Sequence, residues 1–259
     1  MIRFTVVTIT YNAASVLQRT LDSVLIQTYP GVEHLIIDGA STDATLAMAE
    51  TYKRLNDETD GTEHKVIITS EPDHGIYDAM NKALAQVSGD YVVYLNAGDF
   101  FPSATTLEDI YHRCRLAEYP SEELPAVVYG LTDIVDGDGH YLRPRHLQPP
   151  AEGLSWKSFQ KGMLVCHQAF YARSDIARNL PYDTRYRHSA DVDWCIRVMR
   201  EAERLGLPLV SAGITTACYT EEGNTTVHHR ASLIERFHVM RRHYGLLTTL
   251  WRHFTFLFR

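Results

Sequence analysis

Four short apolar runs set the limits on what this chain can fold into. Residues 4–10 (F-T-V-V-T-I-T), 34–38 (H-L-I-I-D), 66–70 (V-I-I-T-S) and 91–95 (Y-V-V-Y-L) are rich in β-branched and aromatic side chains and lack strict alternation. Parallel strands buried on both faces have this composition. Between the first two runs Val16, Leu17, Leu21, Val24 and Leu25 recur at helical spacing, and after the second so do Leu46, Met48, Ala49 and Tyr52. Ser41, Thr42 and Asp43 each offer a cap for that second helix. A third helix follows the polar loop 71–75 and stops at Ser88-Gly89-Asp90. The order β-α-β-α-β-α-β predicts an α/β fold: a mostly parallel sheet, right-handed crossovers and helices on both faces.

Ligands of open α/β sheets bind outside the carboxyl ends of the strands. Here those ends carry Thr10-Tyr11-Asn12, Asp38, Glu71-Pro72-Asp73 and Asn96-Ala97-Gly98-Asp99. A nucleobase and ribose need a flat apolar face, amide hydrogen bonds and an acceptor for the ribose hydroxyls, and Tyr11, Asn12 and Asp38 are residues of those types. Each taken singly also reads as a turn or capping residue; their recurrence at successive strand ends points to a ligand. Asp99, just past a buried strand on a glycine-containing turn, suits a metal ion held against a phosphate. Its bland alternative is a cap for the helix that opens near Thr105. The first strand-to-helix turn has no G-x-G-x-x-G, which argues against a dinucleotide-binding domain.

The second half changes character. A helix is expected from 105 to about 116, then a Pro-bearing linker over 118–125 and an apolar run over 126–130. Asp136-Gly-Asp-Gly139 is a hairpin-turn signal before 140–143. Residues 207–212 read as another strand and 219–229 as a polar loop. The last thirty residues read as two helices separated near Gly245 and set six arginines and one glutamate among Leu, Phe and Trp. Basic amphipathic segments of this kind lie in the interface of anionic membranes; packing on the core is the alternative.

With 45% apolar residues in 259, the chain has ample material for a core. A net charge of −7 leaves no broad basic face, so nucleic acid is not an expected partner. Cys114, Cys166, Cys195 and Cys218 form no C-x-x-C pair and read as reduced thiols. No signal-peptide pattern and no run of ~20 apolar residues are seen, so a cytoplasmic protein is expected.

The block S-E-P-D-H-G-I-Y-D-A-M-N-K (70–82) precedes a strand that ends in N-A-G-D. With T-Y-N at 10–12 and I-I-D-G-A-S-T-D at 36–43, it resembles the inverting family 2 glycosyltransferases of the GT-A fold. The likeness is greatest to the bacterial branch that builds surface polysaccharides such as colanic acid. The resemblance implies that Thr10, Tyr11 and Asn12 line a base pocket, that Asp38 binds base or ribose, and that Asp73 lies near the nucleotide. Asp78, Asn81 and Lys82 share one helical face, which would point toward the donor, with Lys82 either on phosphate or merely solvated. Asp99 would contact a divalent cation, Mg or Mn, although Asn96 and Gly98 stand where the family's preceding acids are. His167 and Gln168 would touch sugar, against the reading of a core histidine. Ser189-Ala-Asp191-Val-Asp193-Trp-Cys-Ile-Arg197 would supply the general base, Asp191 first and Asp193 second, with Arg197 orienting them. Both acids also suit a helix N-terminus. His228 would be a third metal ligand, or else a loop histidine.

On this resemblance, residues 1–229 form one catalytic domain. Its nucleotide-binding half is 1–101, its acceptor half 102–229 with a small β-rich lobe, and 230–259 is a basic helical tail. The activity implied is transfer of a sugar from a nucleotide-diphosphate donor, a UDP-sugar first, to a saccharide or lipid-linked saccharide at the inner face of the cell membrane. Two other readings stay open. A non-catalytic sugar-nucleotide-binding module would keep Asp38 and lose Asp99 or Asp191. A sugar nucleotidyltransferase would want a Gly-rich basic loop after the first strand, which 12–15 does not supply.

Overall fold

The alternation predicted for the first half is realised element by element in a computed structural model, which describes residues 1–59, 64–221 and 229–256. Strands β1 (Phe4–Thr10), β2 (Val32–Asp38), β3 (Lys65–Ser70) and β4 (Tyr91–Tyr94) are linked by helices α1 (Ala14–Leu25), α2 (Thr45–Glu58) and α3 (Ile76–Gln86). All four strands run parallel in the order β3-β2-β1-β4. Every residue of β1, β2 and β4 is buried, whereas β3, at the sheet edge, buries only Val66. Several polar members of the buried strands are satisfied locally, Thr5 by Glu33 (2.9 Å) among them. His34 sits between Thr8 Oγ1 (2.9 Å) and the Tyr52 hydroxyl (2.8 Å), and burial pushes its pKa down to about 3.

Helix α4 (Thr106–Arg113) leads to β5 (Val127–Val135), β6 (Tyr141–Pro144), β7 (Phe170–Arg173), α5 (Ser174–Ala177), α6 (Ala190–Leu205) and β8 (Leu209–Thr220). Strand β7 runs antiparallel between β4 and β5, β6 pairs antiparallel with the far half of β5, and β8 lies parallel along the other edge of β5. One eight-stranded sheet thus carries both halves of the chain. The chain closes with α7 (His229–Tyr244) and α8 (Leu246–Phe256), separated as expected at Gly245, whose φ of +82° stops the helix.

Two local expectations are revised and a third is narrowed to one residue. The helix expected to run to about 116 ends at Arg113, and Arg115 then takes a left-handed conformation (φ +52°) before a short 3-10 turn. Among the candidate caps it is Asp43 whose carboxylate accepts the Thr45 N–H (3.0 Å). Strand β8 starts two residues late and runs to Thr220, through residues 213–218 that no element was expected to cover and two residues into the segment read as loop, because pairing along β5 outweighs its Ser, Gly and Thr content.

The order reverses at β1, with β2 on one side and β4 on the other, and this opens a crevice at their carboxyl ends. At the opposite ends the sheet is tightly sealed. A Cβ on Gly89 would lie 2.7 Å from the Arg3 carbonyl oxygen and 3.1 Å from the Thr5 backbone nitrogen, atoms that cannot swing away. Gly89→Ala is expected to cost about 1–3 kcal/mol, seen in urea unfolding as a lower midpoint at unchanged slope.

Candidate functional site

The first group of site residues is assembled by the loops after β1, β2 and β3. Asn12 adopts φ +47°, so its N–H meets Ser41 Oγ (2.8 Å) while its side-chain oxygen accepts the Thr42 N–H (2.9 Å). Ala40 is likewise left-handed (φ +60°), and such strain in two facing loops is characteristic of a shaped binding surface. Asp38 is fully buried and takes the Ser41 N–H (3.0 Å), the Ser41 hydroxyl and the Ser70 hydroxyl (2.6 Å). A Cβ on Gly39 would stand 2.5 Å from Asp73 Oδ2 and 3.3 Å from the Tyr11 ring, so a larger residue there would push the Asp73 carboxylate aside. Tyr11 is 64% exposed beside them, and Thr10 Oγ1 is buried with no hydrogen-bond partner among the described residues. Thr10, Tyr11, Asn12, Asp38 and Asp73 therefore come together at the carboxyl ends of the strands, with Tyr11 and Asn12 exposed and Thr10 and Asp38 buried beneath them.

The face of α3 predicted to look at the donor is spent on holding the protein together. Lys82 donates to the Pro72 carbonyl (2.6 Å) and pairs with Glu71 (3.0 Å). Asp78 accepts the His74 N–H (3.0 Å) at the start of the helix. Asn81 makes two hydrogen bonds to the backbone of Tyr182, accepting its N–H (2.7 Å) and donating to its carbonyl (3.0 Å). Together they fix the loop that carries Asp73 and tie α3 to the chain before α6.

Asp99 is only 5% exposed. It accepts the Gln168 amide (2.7 Å) and the Thr220 N–H (3.2 Å). Burial pushes its pKa up to about 7, against those two hydrogen bonds. The Thr220 hydroxyl also donates to the Gly98 carbonyl (2.8 Å), so the end of β8 clamps the turn. Next to this turn, Asn96 Oδ1 is buried with no partner among the described residues. A carboxylate whose partners here are neutral, with lone pairs to spare, and an orphaned amide oxygen are hard ligands that fit a divalent cation. Residues 222–228, which include the candidate ligand His228, lie outside the described residues. Among the described residues one other cluster offers cation ligands, Asp136, Asp138 and His140 at the β5–β6 turn, where Asp136 Oδ1 already accepts two backbone N–H groups.

The two acids at the start of α6 face different surroundings. Asp191 is half-buried, and its Oδ1 accepts the hydroxyl of Tyr77 (3.0 Å) from the first turn of α3. Asp193 is fully buried, held by Arg197 Nε (2.6 Å) and His243 Nε2 (2.7 Å). Burial alone would raise the Asp193 pKa, but hydrogen bonds from His243 and Arg197 outweigh it and hold it below the usual value. Of the expected pair, Asp191 is the one open to solvent. His167 is a core histidine: 4% exposed, bonded to the Tyr182 hydroxyl (2.7 Å) and stacked on Tyr94, its pKa pushed down to about 4 by burial. Gln168 reaches Asp99 as described. The sequence reading missed Tyr77, which stacks on Tyr182 within the aromatic cluster that also holds Tyr94, His167 and Trp194. Its place in the D-H-G-I-Y block marks the residue but not its partner, 114 residues further along the chain.

A mostly parallel sheet flanked by helices, with its strand order reversing at β1, is the architecture of a GT-A-type α/β protein. The family described as Glycosyl transferase family 2 matches over residues 5–180. The PGL/p-HBAD biosynthesis glycosyltransferase of Mycobacterium bovis (strain BCG / Pasteur 1173P2) is 33% identical over 195 residues, 75% of this chain and 68% of its own. The amylovoran biosynthesis glycosyltransferase AmsB of Erwinia amylovora is 26% identical over 221 residues, 84% of this chain and 69% of its own. This chain belongs to glycosyl transferase family 2. Among solved structures, S. aureus TarS 1-349 in complex with UDP-GlcNAc has a TM-score of 0.68 at 19% identity, covering 92% of this chain and 64% of that one. The mannosyltransferase PcManGT from Pyrobaculum calidifontis, in complex with GDP-Man and Mn2+, has a TM-score of 0.65 at 17% identity, covering 93% and 64%. This chain spans just under two thirds of the length of those two solved chains, and they share its fold.

Proposed function

We propose that this protein is an inverting, cation-dependent glycosyltransferase of the surface-polysaccharide branch. It moves a sugar from a nucleotide-diphosphate donor, a UDP-sugar first, to a hydroxyl of a saccharide or lipid-linked saccharide. The observation that carries the reading is the half-open Asp191 carboxylate, oriented by the Tyr77 hydroxyl in a chain whose strand-end loops are laced around Asp38. The named roles of relatives in PGL/p-HBAD and amylovoran biosynthesis support the substrate class.

In this mechanism Tyr11 covers the base, Thr10 and Asn12 shape its pocket, Asp38 orders the ribose side and Asp73 closes over Gly39. The residues that would hold the cation are Asp99 and Asn96; when bound, it neutralises the charge that develops on the leaving diphosphate. The free oxygen of Asp191 accepts the proton of the acceptor hydroxyl. The hydroxyl oxygen forms its bond to the anomeric carbon as the bond from that carbon to the diphosphate oxygen breaks, and the electron pair leaves with the diphosphate. Attack opposite the leaving group inverts the anomeric centre. His167, Gln168, Asp78, Asn81 and Lys82 act as framework in this scheme, and Asp193 anchors α6.

Residues 1–101 serve the nucleotide and 102–229 the acceptor. Leu246, Leu247, Leu250, Trp251 and Phe254 form an exposed stripe on α8 near the arginines of α7, which supports peripheral contact with an anionic membrane on its cytoplasmic side. Among the described residues no helix is long and apolar enough to cross a membrane.

A panel of UDP-glucose, UDP-galactose, UDP-GlcNAc, GDP-mannose and dTDP-rhamnose, each with Mn2+ and water or simple saccharides as acceptor, tests the reading. Release of a nucleoside diphosphate from one donor supports it, with the inverted product visible by proton NMR. Release of a sugar 1-phosphate on adding pyrophosphate, or binding without turnover, contradicts it.

A further inference from the structure

Helix α7, well beyond the family-matched residues 5–180, is built into the loop that delivers Asp191. Glu235, in α7, accepts two consecutive backbone N–H groups, that of Arg187 on Oε1 (2.9 Å) and that of His188 on Oε2 (2.7 Å). One turn earlier in α7, the carbonyl of the buried Ser232 accepts the hydroxyl of Ser189 (3.2 Å). Ser189 immediately precedes α6, and its own side chain makes no cap to that helix. At the far end of α7, His243 bonds Asp193 (2.7 Å), while Arg242 reaches Asp183 (3.0 Å) and Asp193 (3.6 Å). Asp191 thus lies between attachments of α7 to residues 187–189 and to residue 193.

A helix merely packed on a core needs apolar contact. It does not need a carboxylate with both oxygens committed to one peptide pair. Two charge-assisted bonds from one rigid side chain fix the path of residues 187–189, and the path fixes where the Asp191 carboxylate stands relative to the Tyr77 hydroxyl. Glu235 also lies close enough to Tyr77 for its charge to help raise that hydroxyl's pKa, after burial and Asp191 itself.

We infer that Glu235 is a positioning residue for the catalytic carboxylate: through the Arg187 and His188 amides it holds the α6 N-terminus in register with Tyr77, which makes α7 part of the active site. This inference rests on Asp191 being the base. It assigns Glu235 an effect on turnover and none on donor binding, because among the described residues its hydrogen bonds go to Arg187 and His188 and not to the loops after β1, β2 and β3.

The test uses the full chain, the donor panel above and a two-by-two set of variants. Glu235→Gln keeps size but replaces one acceptor with a donor that faces an N–H. It is expected to lower kcat by about tenfold to a hundredfold, as a misplaced reacting group does, with the nucleoside diphosphate Kd within twofold. Hydrogen exchange of the Arg187 and His188 amides should quicken while the body of α6 stays protected. Glu235→Asp, which keeps the charge, should recover part of the loss. In an Asp191→Asn background Glu235→Gln should add no further loss, because the group it positions is already gone. An unchanged kcat in Glu235→Gln, or an equal loss in both backgrounds, overturns the inference while leaving Asp191 as the base. A parent chain that turns over no donor, or an Asp191→Asn chain that keeps its turnover, removes the base reading itself and the inference with it.

Discussion

Asp191→Asn is expected to lower turnover by about 10²–10⁴-fold, the usual worth of a general base, with nucleotide affinity within twofold of the parent. The size follows from what the substitution leaves behind. The amide is isosteric and can still accept the Tyr77 hydroxyl through its oxygen, so the first turns of α3 and α6 stay linked. It cannot accept a proton at neutral pH, so attack must proceed with the acceptor hydroxyl still protonated. Tyr77→Phe should be milder. It frees the carboxylate to rotate without removing it, and part of its cost is packing, because the Tyr77 ring stacks 5.8 Å from Tyr182. Steady-state kinetics with the donor found by the panel separates the two: a loss confined to kcat for Asp191→Asn, a smaller loss for Tyr77→Phe. Near-parent turnover in Asp191→Asn would remove Asp191 as the base.

The second large effect belongs to Asp99 and is a dependence on pH. Its carboxyl is raised by burial from 3.8 to about 7 in the folded chain. Below about pH 4 it is protonated whether folded or not and contributes no difference. As pH rises from about 4 to 7 the unfolded chain gives up this proton while the folded chain keeps it. Metal-free stability therefore falls by about 1.4 kcal/mol per pH unit from this group, at most about 4 kcal/mol in total. Above about 7 the penalty is constant. Other buried groups titrate as well, so the measurable quantity is the difference between the parent and Asp99→Ala in urea unfolding from pH 4.5 to 8. That difference should move against the parent as pH rises. A divalent cation binds the ionised form, so it should restore stability at pH 8, and its affinity should weaken about tenfold per unit as pH drops below 7. A difference that is flat across the range would show that Asp99 ionises normally and would remove the electrostatic case for a cation there.

How much of this was legible in the sequence follows from the range of each interaction. The four parallel strands could be read because burial on both faces leaves a local signature, and the β5–β6 turn because Asp136-Gly-Asp-Gly139 specifies it locally. Strand β8 could not, since only the pairing with β5 makes a strand of Ser211, Gly213, Thr215 and Thr216. Asp78, Asn81 and Lys82 could be assigned to one face of α3, but their partners Pro72, Glu71 and the Tyr182 backbone come from loops that a helical pattern does not describe. The contrast between Asp191 and Asp193 was available and went unused. Residues two apart on a helix point in different directions, and Arg197 lies at i+4 from Asp193. Periodicity alone therefore turns Asp193 toward Arg197 and Asp191 away from it. Tyr77 was beyond reach, because its bond to Asp191 spans 114 residues of chain. The same holds for Glu235, 47 and 48 residues from the amides it holds.

The central claim is that the loops at the carboxyl ends of β1, β2 and β4 hold a nucleoside diphosphate together with a divalent cation. Thermal unfolding of the parent and of Asp99→Ala with UDP, GDP, dTDP or CMP, each with and without Mn2+, tests it most directly. A ligand at 100 times its Kd that binds only the folded chain stabilises it by about 2.7 kcal/mol, an easily seen shift. One diphosphate, UDP first, is expected to stabilise the parent only when Mn2+ is present and to leave Asp99→Ala unmoved. Stabilisation by none of them, or equal stabilisation of both chains without metal, would contradict it.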